Sequence, residues 1–300
     1  MEPTATHFDL RFLHLAACTV LKGELFLNDR SDVRIAFINQ KGGVGKTTLA
    51  LNCAVGWARL GFRVLMVDLD PQAHLTLSLA DSLTDASLER IRNSTIESAL
   101  RREKPLTECI FEVPAEAVSL VPSHIDLSGA EGELSQELGR ELLLRDALDT
   151  LDDSFDLVLL DCPPSLGLLS INALAAADEV VVPVQAEYLA LQGMAQLMKV
   201  ITLVQQRLHT GLKWNAVVPT MVDPRTRLSR EVVEELRRHF PDQLTRTQIP
   251  SRVKVAEAPS FGLSIFGHDP KGPAAGEIED LCQELIERLS LSIPEPDPAI

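Results

Sequence analysis

The segment KGGVGKTT, residues 41–48, constrains this chain more than any other feature. It follows an apolar run at 33–39 and opens a helical pattern at 46–60. A glycine-rich turn between strand and helix points backbone N–H groups inward, and the helix start adds partial positive charge, so the pair makes an anion cradle. Gly42, Gly43, Val44 and Gly45 supply the backbone of that cradle. Lys46 supplies a cation for the β and γ phosphates of a nucleoside triphosphate, Thr47 offers a hydroxyl to Mg²⁺, and Thr48 completes the loop. The usual pattern has glycine where Gln40 stands, and a second lysine, Lys41, follows it. Lys46 already serves the nucleotide of its own chain. Lys41 is therefore available to meet charge on a transferring γ-phosphate, as an arginine finger does.

The surrounding pattern sets the fold class. Short runs rich in Val, Ile and Leu at 33–39, 63–68, 118–121, 157–161, 180–184, 215–220 and 244–249 predict strands, several of them apolar on both faces. Helical patterns at 46–60, 134–151, 169–177, 190–208, 229–240 and 275–289 alternate with them, with Gly61 and Gly211 placed to end the first and fourth. The expectation is an α/β, three-layer domain over 32–290, with a mostly parallel, doubly wound sheet of the P-loop NTPase kind. Residues 1–31 form an extension without an assignable role, and 291–300 an acidic, Pro-rich, flexible tail.

Open α/β sheets place ligands at the carboxyl ends of their strands. There VDLDPQ offers Asp68 and Asp70, and LVLLDCPPS offers Asp161. A carboxylate at such a point holds Mg²⁺ through water and senses the γ-phosphate. Of Asp68 and Asp70, one is expected to order the metal shell and the other to position the attacking water.

Composition narrows the remaining classes. With 28 Lys+Arg against 43 Asp+Glu, net −15, the balance argues against wholesale coating of nucleic acid or anionic lipid but leaves room for a local basic patch. Aromatics at 4% argue against a surface that stacks bases or sugars. The five cysteines (18, 53, 109, 162 and 282) form no CxxC pair, which predicts packed thiols in a reducing cytosol rather than a disulfide framework or a cluster at Cys162. Histidines show no HxH or HExxH pattern. The apolar stretch 10–21 is short, is broken by Arg11 and His14, and follows an acidic start, so neither a membrane span nor a secretory signal is expected.

KGGVGKTT, VDLDPQ, LVLLDCPPS, NALAAADEVVVPVQAEYLALQG and IPSRVKVAEAPSFG, taken in this order, resemble the ParA/Soj family of partition ATPases, the deviant P-loop branch that also contains MinD. The resemblance runs over about 32–290. It implies an ATP- and Mg²⁺-dependent sandwich homodimer with two nucleotides at the interface, Lys41 reaching the partner's ATP. It matches Asp70 to the hydrolysis residue, and Asp68 and Asp161 to metal and switch carboxylates. It places Thr220 and Met221 near the adenine. It further implies sequence-independent DNA binding by the ATP dimer, stimulation by a ParB-like partner, and a cytoplasmic, nucleoid-associated location without a membrane anchor.

Charge asymmetry points to the surface for DNA. Residues 224–254 hold eight Lys/Arg against four Asp/Glu, while the rest of the chain holds 20 against 39. Arg225, Arg227, Arg230, Arg252 and Lys254 are the expected phosphate contacts, although Ser251 stands where the family usually has arginine. Two rivals share the same residues: an ATPase that positions a protein assembly, and a scaffold with a relic nucleotide site. A metabolic P-loop enzyme would need substrate-binding side chains that are not found.

Overall fold

The computed structural model describes residues 32–187 and 190–294. The expectations for 1–31 and for the tail from 295 onward lie outside them. Among the described residues, eight strands form one sheet: β1 (Val33–Phe37), β2 (Val64–Asp68), β3 (Phe111–Val113), β4 (Val118–Val121), β5 (Leu157–Asp161), β6 (Glu179–Gln185), β7 (Lys213–Val222) and β8 (Ile249–Pro250). Their order is β3-β4-β2-β5-β1-β6-β7-β8, and only the β3–β4 pair is antiparallel. The longer helices are α1 (Lys46–Ala58), α2 (Leu168–Ala176), α3 (Ala190–Arg207), α4 (Arg227–His239) and α5 (Pro273–Leu289). The result is the mostly parallel, three-layer α/β architecture that the alternating pattern predicts.

Strand side chains alternate between two cores, as a period of two requires. Ile35 and Phe37 of β1, Val64 and Met66 of β2, and Leu157 and Leu159 of β5 pack on the α1 and α5 side. Ala36, Leu65, Val67, Val158 and Leu160 pack on the other, against α2 and α3. Burial on both faces explains why these strands read as unbroken apolar runs.

α1 ends as its sequence suggests. Gly61 adopts φ +94°, its N–H bonds Ala58 O, and the Phe62 N–H reaches back to Trp57 O at 3.2 Å, with Phe62 buried. This is a Schellman closure, which needs a left-handed residue at Gly61. Gly211 differs: α3 ends at Arg207, and Gly211 is not left-handed. The helix expected at 134–151 is two helices, Leu127–Leu134 and Leu143–Leu148, divided at Gly139 with φ +72°. The last strand falls at Ile249–Pro250, with Leu244 touching the sheet only through a single bridge to Val217.

Candidate active site

The central strands β2, β5 and β1 end together, so their following loops converge. Asp68 and Asp161 are direct register partners across β2 and β5, and Phe37 of β1 is the partner of Asp161 on the other side. The glycine-rich loop leaves β1 and turns through Gly43 at φ +74° and Gly45 at φ +90° before α1 begins. Side chains at either position would be strained, so glycine is needed for the cradle itself. Val44 is buried, and its carbonyl accepts a 2.8 Å bond from the Thr220 hydroxyl at the end of β7. Asn39 braces the other side, donating to Pro183 O at 2.7 Å and accepting from the Lys41 N–H at 3.0 Å. Thr48 O accepts from Asn52, which in turn receives the Ile265 N–H.

Lys46 is buried, and desolvation lowers its pKa from the ordinary value while Asp161, Cys162 and Asp70 pull the other way. Asp161 is fully buried, and both of its oxygens lack a hydrogen bond of good geometry. Burial raises its pKa well above the usual carboxylate range, the Asp68 charge adds to that, and the nearby Thr47 hydroxyl and Lys46 oppose it. An orphaned buried carboxylate is costly unless a cation or a donor meets it. Hard oxygen donors from Asp161 and Thr47 beside a triphosphate cradle fit Mg²⁺, which takes one or two protein oxygens and fills its shell with phosphate and water. Among the described residues, no group of three or more His, Cys, Asp or Glu forms an all-protein metal cage.

Asp68 differs from Asp161. It is also fully buried, with its pKa raised to about 6 by desolvation, yet its oxygens accept from Asp70 N, Thr76 N and the Thr76 hydroxyl. Asp70 is nearly buried, and its carboxylate accepts the Gln72 N–H at 3.0 Å. Lys41 is half exposed and lies on its own chain's Gln185 and Glu187, at 3.1 Å to each. Asn39 and Thr76 lie outside the quoted motifs, while Gln185 and Glu187 lie within NALAAADEVVVPVQAEYLALQG, where the sequence assigns them no role. Met221 has φ +52° and is 40% exposed, while Thr220 is buried with its hydroxyl spent on the loop.

The basic stretch is less bare than its composition suggests. Arg225 pairs with Asp223 at 2.9 Å, Arg227 with Glu231 at 2.6 Å, Lys254 with Glu257 at 2.9 Å, and Arg252 with Glu277. Arg230 instead donates to the Pro224 carbonyl at 2.9 Å. The four described cysteines, at 53, 109, 162 and 282, are free and buried. No described helix is long and apolar enough to cross a membrane.

A glycine-rich cradle with two lysines, opening the first helix of a mostly parallel sheet whose strand ends carry buried aspartates, defines a P-loop nucleoside triphosphatase of the deviant kind. Residues 33–214 match the model of an AAA domain. The sporulation initiation inhibitor protein Soj of Bacillus subtilis is 41% identical over 84% of this chain and 97% of its own length. The chromosome-partitioning ATPase Soj of Thermus thermophilus is 44% identical over 85% of this chain and 96% of its own. A solved structure named cobyrinic acid a,c-diamide synthase, from Mycobacterium smegmatis with bound ATP analog and magnesium, superposes with a TM-score of 0.74 at 34% identity, covering 86% of this chain and 96% of that one. The chain belongs to the Soj/ParA family of ATPases.

Proposed function

We propose that this protein is an Mg²⁺·ATP-dependent dimerising switch that binds DNA without sequence preference and drives chromosome or plasmid partition with a ParB-like partner in the cytoplasm, on the nucleoid. The observation that carries the nucleotide chemistry is the orphaned, fully buried Asp161 carboxylate beside Lys46 and Thr47 at the mouth of the loop. In this reading the amides of Gly42–Thr48 and the Lys46 ammonium hold the phosphates, and Thr47 and Asp161 hold the metal. When bound, Mg²⁺ neutralises charge on the β and γ phosphates. Asp70 orients the attacking water, and Asp68 supports it from behind. Lys41 leaves Glu187 to reach the nucleotide of a second copy, which makes hydrolysis slow until two chains meet. Met221, beside the loop anchor Thr220, is the candidate for adenine contact.

The relatives named for chromosome partitioning support the partition role. The carboxylate partners of Arg225, Arg227, Arg252 and Lys254 favour a second reading, in which the same ATPase positions a protein assembly. The test is the ATPase rate measured alone, with DNA, with a peptide from the candidate partner, and with both. Partition predicts the largest stimulation when both are present. Stimulation by peptide that is indifferent to DNA would favour the assembly reading, and no turnover under any condition would reject both.

A further inference from the structure

We propose that Thr76 is a positioning residue for ATP hydrolysis, acting through Asp68 on the backbone that carries Asp70. The inference rests on the ATPase reading above and concerns a residue in no recognised motif. The end of β2, the short helix after it and the distant segment past β4 meet at one hydroxyl. The Ser123 N–H, just past β4, donates to Thr76 Oγ at 2.9 Å. Thr76 Oγ donates to Asp68 Oδ2 at 2.7 Å, and the Thr76 N–H reaches the same oxygen at 2.9 Å. The other oxygen, Asp68 Oδ1, accepts the Asp70 N–H at 3.1 Å. Because an amide N–H only donates, Ser123 fixes the direction of this relay, and the single Thr76 proton must point to Asp68. All three of Thr76, Ser123 and Asp68 are buried, so water does not compete.

The relay answers a local problem. The short helix His74–Ser78 follows Ala73, which has no side chain to cap it and sits at φ +53°, a conformation alanine adopts at a cost. Asp68 supplies the missing cap from the neighbouring strand end by accepting the third-position N–H, the role a capping side chain normally fills. The Asp70 carbonyl accepts the Ala73 N–H at 2.8 Å and its carboxylate the Gln72 N–H. Residues 70–76 are therefore held at both ends by Asp68, and the Thr76 hydroxyl is what ties that carboxylate to the next strand. A small misplacement of a catalytic group costs rate rather than substrate affinity.

The test compares Thr76→Val, which is isosteric but lacks the hydroxyl, with Thr76→Ser, which keeps it. Expected for T76V are a kcat for ATP at least about tenfold lower, nucleotide affinity within about threefold of wild type, and amide hydrogen exchange at Asp70, Thr76 and Ser123 at least about tenfold faster. T76S should keep kcat within about threefold. Wild-type kcat in T76V, or unchanged exchange at those three amides, overturns the proposal. So does a parallel loss of nucleotide binding with faster exchange throughout the sheet, which would mark Thr76 as a general packing residue. A wild-type chain without Mg²⁺·ATP turnover would overturn the ATPase reading instead, and the exchange pattern would still decide whether the relay exists.

Discussion

At the level of single residues, the site sets two buried carboxylates side by side and offers one buried ammonium in return. Removing that ammonium, Lys46→Ala, leaves the phosphates without their cation and should lower ATPase activity by at least about a hundredfold, read as phosphate release. Asp70→Ala should instead preserve nucleotide binding while cutting hydrolysis by about a hundredfold or more, because only the oriented water is lost. The carboxylates also make stability depend on pH. Asp68, raised from 3.8 to about 6, and Asp161, raised well above its ordinary value by burial, keep protons that the unfolded chain has already released. The Asp68 contribution is complete below pH ~4 and is lost as pH climbs through ~6, and that of Asp161 is lost in the same direction. Glu179 is raised by burial and acts in the same direction. The carboxylates lowered by partners, Asp156 and Glu284 among them, lose their contribution only as pH falls below ~4, outside this window. A rise from 3.8 to about 6 is on the order of 3 kcal/mol. Roughly half of that is lost between pH 5 and pH 7, so the nucleotide-free protein should melt on the order of 2–5 °C lower at pH 7 than at pH 5. Asp161→Asn should flatten part of that slope in a thermal scan across pH.

Between elements, the decisive contact for the loop's support is α1 against α5. Gly56 of α1 faces Cys282, where an added Cβ would lie 2.6 Å from Sγ and 3.3 Å from the Phe266 ring. The Trp57 indole N–H caps the same junction by donating to Cys282 O at 3.3 Å. Gly56→Ala should therefore cost roughly 1–3 kcal/mol by overpacking, although alanine is the better helix former, and urea unfolding would read the loss. This junction was not legible in the sequence, where Gly56 sits unmarked inside a helical pattern. The central strands were legible because both faces are buried, and β5 and β4 fall where their apolar runs lie. β3 was not: Phe111–Val113 is three residues long and alternates buried and exposed at the sheet edge, too short to show a period. The short helices at His74–Ser78 and Ile96–Leu100 were missed for the same reason, since a five-residue turn carries no repeat. The same contrast divides the site. Lys46, Thr47 and Asp161 were readable because loop glycines and strand ends announce them. Thr76 was not, because its meaning comes from Ser123, 47 residues later, and from an Ala73 backbone angle that alanine does not advertise.

For the whole molecule, the question is how a chain of net charge −15 could hold the polyanion that the proposed function requires. Its basic stretch is mostly engaged with its own carboxylates, but such exposed pairs are weak and yield to phosphate at little cost. Lys41 on Glu187 is the same kind of contact, 44% and 53% exposed, so its release for a second copy is not a large barrier. In the proposed dimer each cation would be presented to DNA twice. With about four phosphates engaged by the pair, raising salt from 50 to 200 mM should weaken binding about a hundredfold, and none should survive without ATP. Arg230 is the sharpest probe, because its partner is the Pro224 carbonyl and not a carboxylate. In an ATP-bound, hydrolysis-deficient Asp70→Ala background, Arg230→Ala should reduce the slope of log affinity against log salt by about two, one contact from each copy. A reduction of about one would mean that only one copy touches the duplex. No retention of DNA even at low salt, with sedimentation showing the dimer intact, would move the cargo from DNA to a protein assembly and leave the nucleotide chemistry where it is.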